Sequence, residues 1–143
     1  MQTWVDLPFA DGVYTFKLGL GQIAEIEKKQ DAGLGRIFAR TMAGRYSYDV
    51  DAILPAEADY RFGDLVEVIR QGLIGGNHGL VNEADVPVSA ARADQLIRNY
   101  LTNAADERMP VKAVWALAAT VLGSLIEGYS PPGEADAGPA PAA

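Results

Sequence analysis

The spacing of apolar residues changes once along this chain, and this change constrains the fold more than any other feature. Within residues 13–18, Tyr14, Phe16 and Leu18 lie on one side of an extended chain, and the residues between them lie on the other. This alternation predicts a strand with one buried face. From Gly21 onward the apolar residues instead follow the helical period of about 3.6 residues. A strand-forming start followed by helical segments predicts an α+β fold that is mostly α.

Residues 3–18 are predicted to form a β-hairpin. Segments 4–7 and 13–18 are rich in strand-forming residues, and a turn around residues 10–12 separates them. Pro8 has no backbone N–H to donate, so it suits an edge strand. Because two strands alone are barely stable in water, the hairpin is expected to pack on helices.

Five helical segments follow the hairpin. Apolar stripes predict helices over residues 21–32, 34–43 and 61–76, a fourth capped by Ser89, and a fifth from Pro110 to Gly128. The fifth has the broadest apolar surface and is predicted to be the central helix. The predicted architecture is therefore an N-terminal β-hairpin packed on a bundle of about five helices.

The same patterns predict one globular domain over residues 1–129, with a hairpin at 3–18 and a helical part at 21–128. Residues 45–59 show no sustained period and are predicted to form a loop, whose role stays open. Residues 130–143 contain half of the eight prolines and few large apolar side chains. This segment is predicted to be a disordered tail.

Charge and hydropathy exclude several classes of function. Nineteen acidic residues against 12 basic ones give a formal charge of −7 without a basic stripe, so no direct contact with nucleic acid is expected. The longest apolar stretch, residues 113–126, is shorter than the roughly 20 residues needed to cross a bilayer. No membrane contact is expected. With no secretion signal at the N-terminus and no cysteine, the expected location is cytoplasmic.

One segment superficially matches a dinucleotide-binding loop. Residues 19–24 read Gly-Leu-Gly-Gln-Ile-Ala between a predicted strand and a predicted helix. Such a loop requires a continuously apolar parallel strand before it and a second strand after the helix. Here the strand alternates and more helix follows, so the glycines are interpreted as a strand-to-helix turn.

No catalytic group is expected in this sequence. His78 is the only histidine and lies in a glycine-rich turn, where a solvated loop residue is the simpler interpretation. The pairs Asp49 and Asp51 and Glu57 and Asp59 fall in the predicted loop, so they are interpreted as solubilising charges. The chain is therefore expected to need no metal and no cofactor and not to be an enzyme.

Aromatic residues are the more promising candidates for function, because they often anchor protein interfaces. Trp4 and the tyrosines at 46, 48 and 129 could serve in this way. Trp115 and Tyr100 are interpreted as core residues.

The order of several segments resembles the gene transfer agent family of phage-like tail assembly proteins. Phe-Ala-Asp-Gly-Val-Tyr-Thr-Phe-Lys-Leu at 9–18 is followed by Ile-Ala-Glu-Ile-Glu at 23–27 and Gly-Leu-Gly-Arg-Ile-Phe-Ala-Arg at 33–40. A helix ending in Gly-Leu-Ile-Gly-Gly at 72–76 also fits this family. The motif Arg-Asn-Tyr-Leu at 98–101 and the pair Met-Pro at 109–110 then follow in the expected order.

This resemblance implies a tail assembly chaperone of a prophage or gene transfer agent. Such a protein binds the tape-measure protein and recruits tail-tube subunits. The alternative is a structural tail component, either of the tube or associated with it; a small enzyme or nucleotide-binding protein is the remote alternative. The predicted contact site is an apolar groove at Leu73, Ile74, Gly75 and Gly76 that accepts an amphipathic helix. The oligomeric state stays open.

Overall fold

The computed structural model describes residues 1–43, 59–102 and 108–130. The α+β class with mostly helical content is confirmed. The described strands are β1 (Trp4–Phe9), β2 (Gly12–Lys17), β3 (Gly79–Val81) and β4 (Ala84–Val86). The described helices are α1 (Leu20–Gln30), α2 (Leu34–Met42), α3 (Phe62–Gly76), α4 (Ala90–Ile97) and α5 (Val111–Ile126), and a π-helical turn, Arg98–Thr102, continues α4.

The four strands form one antiparallel sheet in the order β1-β2-β3-β4. The predicted N-terminal hairpin is confirmed, and its turn places Ala10 in the left-handed region at φ 55°. Pro8 lies in β1, at the edge of the sheet, where its missing N–H costs no ladder hydrogen bond. As predicted, Tyr14 and Phe16 are buried while Val13 and Lys17 are exposed.

The second hairpin, formed by β3 and β4, was not predicted. Its strands have three residues each, too short for an alternating pattern to be visible in the sequence. Asn82 and Glu83 form the turn with φ values of 51° and 65°, the left-handed conformation that favours tight hairpins. Gly79 lies so close to the ring of Tyr14 that a Cβ there would be 2.6 Å from a ring carbon. Contact with β2 therefore determines where this hairpin forms.

The five predicted helices are confirmed within one or two residues at most ends, and local hydrogen bonds explain several of these ends. Ser89 caps α4, because its hydroxyl accepts a hydrogen bond from the Arg92 N–H at 3.1 Å. The carboxylate of Glu27 on α1 accepts the N–H of Leu34 at 2.8 Å and so caps α2.

The central helix is α3 and not α5, which corrects the sequence prediction. Helix α3 contacts β2 and the other four described α-helices. Its buried residues include polar ones, Asp64, Glu67 and Gln71, next to Leu65 and Ile69. In the sequence, these polar positions give α3 the amphipathic pattern of a helix with one exposed face. In the fold, the polar side chains have hydrogen-bonding partners within the protein, so α3 is buried on several sides.

Buried side chains from the sheet and from all five described helices form one hydrophobic cluster. Phe9 lies at its sheet side, with ring centroids 6.1 Å from Tyr14 and 6.0 Å from Phe16 in edge-on geometry. Trp115 is 7% exposed and donates its indole N–H to the carbonyl of Thr41, so its predicted core position is confirmed.

Two glycines let the end of α3 lie directly against the backbone of β2. A Cβ added at Gly75 would overlap the carbonyl oxygen of Lys17, and one at Gly76 would overlap that of Thr15. One turn earlier, Gly72 leaves room for the ring of Phe16. The close approach of helix and strand therefore depends on missing side chains.

A buried ion pair joins α2 to α3. The guanidinium of Arg40 donates to both carboxylate oxygens of Asp64 at 2.6 and 2.7 Å, and the two residues are 6% and 0% exposed. These hydrogen bonds raise the pKa of Arg40, so its charge is secure despite burial. Removing one partner would leave the other charged and unpaired inside the protein.

A second polar contact joins the first hairpin to α4. The hydroxyl of Tyr14 donates to Asp11 at 2.5 Å, and Arg92 on α4 donates to the other oxygen of the same carboxylate at 2.8 Å. Burial, followed by the hydrogen bond to Asp11, raises the pKa of Tyr14. The neutral phenol is thus the form that the folded protein favours.

Two predicted segments lie largely outside the described residues. They are the loop at 45–59, of which only Asp59 is described, and the tail, described only at Ser130.

The contact between α3 and β2 predicts a position-specific effect of alanine. Gly76→Ala is expected to lower the free energy of unfolding by about 1–3 kcal/mol, because the added Cβ must displace the Thr15 backbone. Gly123→Ala in α5 is the control, since its Cβ would meet only the Glu127 carboxylate at 3.8 Å. The control should be neutral or stabilising by up to about 1 kcal/mol. Equal urea midpoints for the two variants would contradict the close approach.

The buried ion pair predicts a large cost for breaking it and a smaller one for replacing it. Asp64→Asn is expected to lower the free energy of unfolding by roughly 3 kcal/mol or more, because Arg40 keeps its charge. The double variant Arg40→Met/Asp64→Leu should recover much of this loss. Asp94→Asn, which breaks the more exposed pair with Arg70, is the control and should cost at most about 1 kcal/mol. Urea unfolding measures the loss of stability in each variant. A loss for Asp64→Asn no larger than that for this control would contradict the prediction.

Candidate functional site

The structure places the predicted contact site, Leu73 to Gly76, against the protein's own sheet. Leu73 is fully buried in the core, where its side chain packs within the protein. Gly75 and Gly76 lie against β2 for the packing reason given above. Ile74 is half-buried, and its contact with a partner stays a prediction. Packing of the helix on the sheet explains the glycines of the Gly-Leu-Ile-Gly-Gly motif at 72–76.

The side of the sheet that faces away from the buried cluster is a better candidate, and we call it the open face. Its side chains come from alternate positions of the four strands and from His78 just before β3. The open face consists of Trp4, Asp6, Pro8, Val13, Thr15, Lys17, His78, Leu80 and Asp85. All of them are exposed except Thr15, which is half-buried.

The first row of the open face is mainly apolar. The strand register aligns Pro8 with Val13, Val13 with Leu80, and Leu80 with Asp85. Val13 is 38% exposed and Leu80 is 43% exposed. Adjacent exposed aliphatic side chains on a sheet form a continuous apolar strip, which favours contact with another protein.

The middle row is a chain of hydrogen bonds. The hydroxyl of Thr15 donates to Asp6 at 2.5 Å and lies 3.3 Å from Nδ1 of His78. The other ring nitrogen of His78 lies 2.9 Å from a carboxylate oxygen of Asp85. The backbone N–H of Thr15 also donates to the carbonyl of His78 at 3.0 Å. His78 is therefore held in place by β2 and β4, which its position in a glycine-rich turn did not reveal.

The third row contains the exposed tryptophan. The ammonium of Lys17 lies 5.4 Å from the centroid of the Trp4 ring, within the range of a cation–π contact. Trp4 is 36% exposed, whereas Trp115 is buried. Of the aromatic residues proposed as interface anchors, Tyr46 and Tyr48 lie outside the described residues, and Tyr129 pairs with Gln2 through two backbone hydrogen bonds.

The middle row contains the residue types of a nucleophile, a base and an acid, but they are not hydrogen-bonded in the order that a catalytic triad has. The hydroxyl proton of Thr15 is directed to Asp6 and not to His78. The side chains of His78 and Asp85 are 47% and 80% exposed, so water reaches both. A reacting hydroxyl is usually hydrogen-bonded to its base. The geometry suits a polar contact surface better than a reaction centre.

Within residues 1–43, 59–102 and 108–130, no three histidine or acidic side chains come together in a way that could hold a metal ion. The glycine-rich segment 19–24 follows β2, whose neighbours on both sides are antiparallel. The N–H of Gly19 is already bonded to the Gln22 side chain at 3.0 Å. This segment is a strand-to-helix turn, as expected, and its backbone does not present the glycine N–H to a phosphate.

An apolar cleft of about 540 Å³ lies where α3 and α5 begin. Phe62, Leu101, Met109 and Val111 line it, with Arg108 among the lining residues. Residues 103–107, which the structure does not describe, connect two of its lining positions. The open face is the better-defined surface, because β-strands position all but one of its side chains.

None of the helices in the described part of the chain is both long and apolar enough to span a membrane.

Comparison with known proteins identifies the family. A family model described as phage tail tube protein, GTA-gp10, matches residues 3–128. No curated protein and no solved structure matches the chain. The matched range includes every strand and helix of the described residues, and it confirms the resemblance found in the sequence. Because the match covers most of the 143 residues, the chain belongs to this family of phage and gene transfer agent tail proteins.

Proposed function

We propose that this protein is a tail assembly chaperone that binds the tape-measure protein and recruits tail-tube subunits to it. The open face supports this proposal, because it presents exposed apolar and aromatic side chains on a rigid sheet. The described helices pack on the other side of that sheet. An exposed apolar strip with polar neighbours is the type of surface that binds a protein partner.

The proportions of the fold favour a chaperone over a tube subunit. The longest described strands have six residues, and two of the four have three. Stacked tube subunits usually need larger sheets to make continuous walls. A small sheet supported by five helices suits a protein that offers one limited contact surface.

A structural role in the tail is the second candidate. The description of the matching family as a tail tube protein favours it directly. A tube subunit would be present in many copies in each finished particle, whereas an assembly chaperone would leave before completion. Quantitative mass spectrometry of purified particles therefore separates the two roles.

We also propose that the protein is not an enzyme. The exposure of His78 and Asp85 and the engagement of Thr15 by Asp6 support this proposal. The function then depends on surface complementarity, so conservative changes of single polar groups should be tolerated better than new charges in the apolar strip.

Charges placed in the apolar strip should prevent partner binding. Val13→Asp and Leu80→Asp are each expected to weaken capture of the purified tape-measure protein by about tenfold or more, because the new carboxylate would be buried unpaired at the interface. Leu20→Asp is the control, since Leu20 is 87% exposed on α1 outside the open face. Capture is measured by pull-down and by titration calorimetry.

Three results would contradict this proposal or part of it. Failure of the unaltered protein to capture the tape-measure protein would contradict the chaperone role. Many copies of the protein in finished particles would favour the tube component instead. Equal loss of capture for Leu20→Asp and Leu80→Asp would indicate that the open face is not the contact surface.

Thr15→Val tests the proposal that no reaction takes place on the open face. The substitution removes the hydroxyl that contacts His78 while keeping the shape of the side chain and its strand propensity. Stability is expected to fall by about 1 kcal/mol through the lost hydrogen bonds. The yield of complete tails should stay within about twofold of normal, since binding energy is spread over the interface. Complete loss of tails with a folded Thr15→Val protein that still captures the tape-measure protein would instead indicate catalysis.

A further inference from the structure

The carboxylates of the open face are not paired with lysine or arginine, in contrast to several carboxylates elsewhere in the described residues. In the helical layer and at the first hairpin turn, Asp64 pairs with Arg40, Asp94 with Arg70, and Asp11 with Arg92. On the open face, Asp6 accepts a hydrogen bond from Thr15, and Asp85 contacts His78. Among the described ion pairs, neither of these two carboxylates meets a lysine or arginine. Two acidic groups are thus available to a cation from outside.

The single lysine of the open face does not neutralise these acids. Lys17 lies over the ring of Trp4, at the end of the face opposite the row that contains Asp85. The whole chain has a formal charge of −7, so its long-range field also attracts a basic partner. Charge complementarity therefore selects a partner that contributes lysine or arginine.

The dimensions of the open face fit a single helix. The six-residue strands β1 and β2 span about 20 Å, and the shorter β3 and β4 widen the face at one end to about 15 Å, since neighbouring strands lie about 4.8 Å apart. An α-helix with its side chains is about 10 Å wide, and three to four turns cover about 20 Å. Helices already cover the other side of this sheet, and one more would complete a third layer.

We infer that the open face binds an amphipathic α-helix of three to four turns whose lysine or arginine side chains pair with Asp6 and Asp85. Apolar side chains of the same helix cover Val13 and Leu80 and reach the ring of Trp4. This inference rests on the proposed function, because it names the kind of segment by which the tape-measure protein is held.

The two tryptophans provide a direct test. Trp4 lies on the open face, and Trp115 lies in the core, so fluorotryptophan incorporated into the full chain gives one reporter at each position in fluorine NMR. The probe is the purified tape-measure protein, followed by synthetic peptides that tile its sequence. Binding should move the Trp4 resonance and leave the Trp115 resonance unchanged. The tightest-binding peptides should be amphipathic and basic.

Charge variants test the chemistry of the contact. Asp85→Lys is expected to lower affinity by roughly tenfold, because it replaces attraction with repulsion. Glu25→Lys on α1 makes the same change in net charge at an exposed position away from the open face, and it should change affinity by less than about twofold. Asp6→Asn/Asp85→Asn, which adds no repulsion, should reduce the dependence of binding on salt. Circular dichroism confirms that each variant is folded.

The experiments distinguish a failure of this inference from a failure of the chaperone proposal. If the tape-measure protein binds while the Trp4 resonance stays in place, or if Asp85→Lys and Glu25→Lys weaken binding equally, this inference is overturned and the chaperone proposal stands. Preferential binding of acidic or non-helical peptides also overturns it. If the tape-measure protein does not bind at all, the chaperone proposal fails together with this inference.

Discussion

The close packing of α3 on β2 is the contact on which the other features depend. Gly75 and Gly76 bring the last turn of the helix against the strand's carbonyl groups, and Gly72 leaves room for Phe16. With β2 held in this way, Tyr14 and Phe16 point into the core and the alternate side chains of the strand point outward. The same contact therefore sets which side of the sheet the described helices cover and which side forms the open face.

The polar residues of α3 make its central position possible. Asp64 is paired with Arg40, and Glu67 accepts hydrogen bonds or ion pairs from Lys29, Arg70 and Gln71. These partners come from α1, α2 and α3 itself, so satisfying the buried groups also fixes how the helices are placed around α3. Buried polar groups that are fully paired permit few alternative arrangements, since each alternative would leave a charge without a partner.

The open face could be predicted only in part from the sequence. The alternation in residues 13–18 correctly indicated that Val13, Thr15 and Lys17 face outward. It gave no indication that His78 lies beside Thr15, because 63 positions separate them and the hairpin that follows His78 and pairs with β2 has strands of only three residues. The packing role of the glycine pair at 75–76 was not evident from the sequence for a related reason: glycines at a helix end are compatible with a cap, a turn or a close contact, and only the neighbouring strand distinguishes these.

The sequence by itself determined the local structure and the family. The apolar spacing predicted one hairpin and five helices, because a period of two or of about 3.6 residues depends only on nearby positions. The order of its motifs indicated a gene transfer agent tail protein. The tertiary structure decided which helix is central, where the second hairpin forms and which surface stays uncovered. These features depend on contacts between distant residues, and burial is a property of those contacts and not of any one segment.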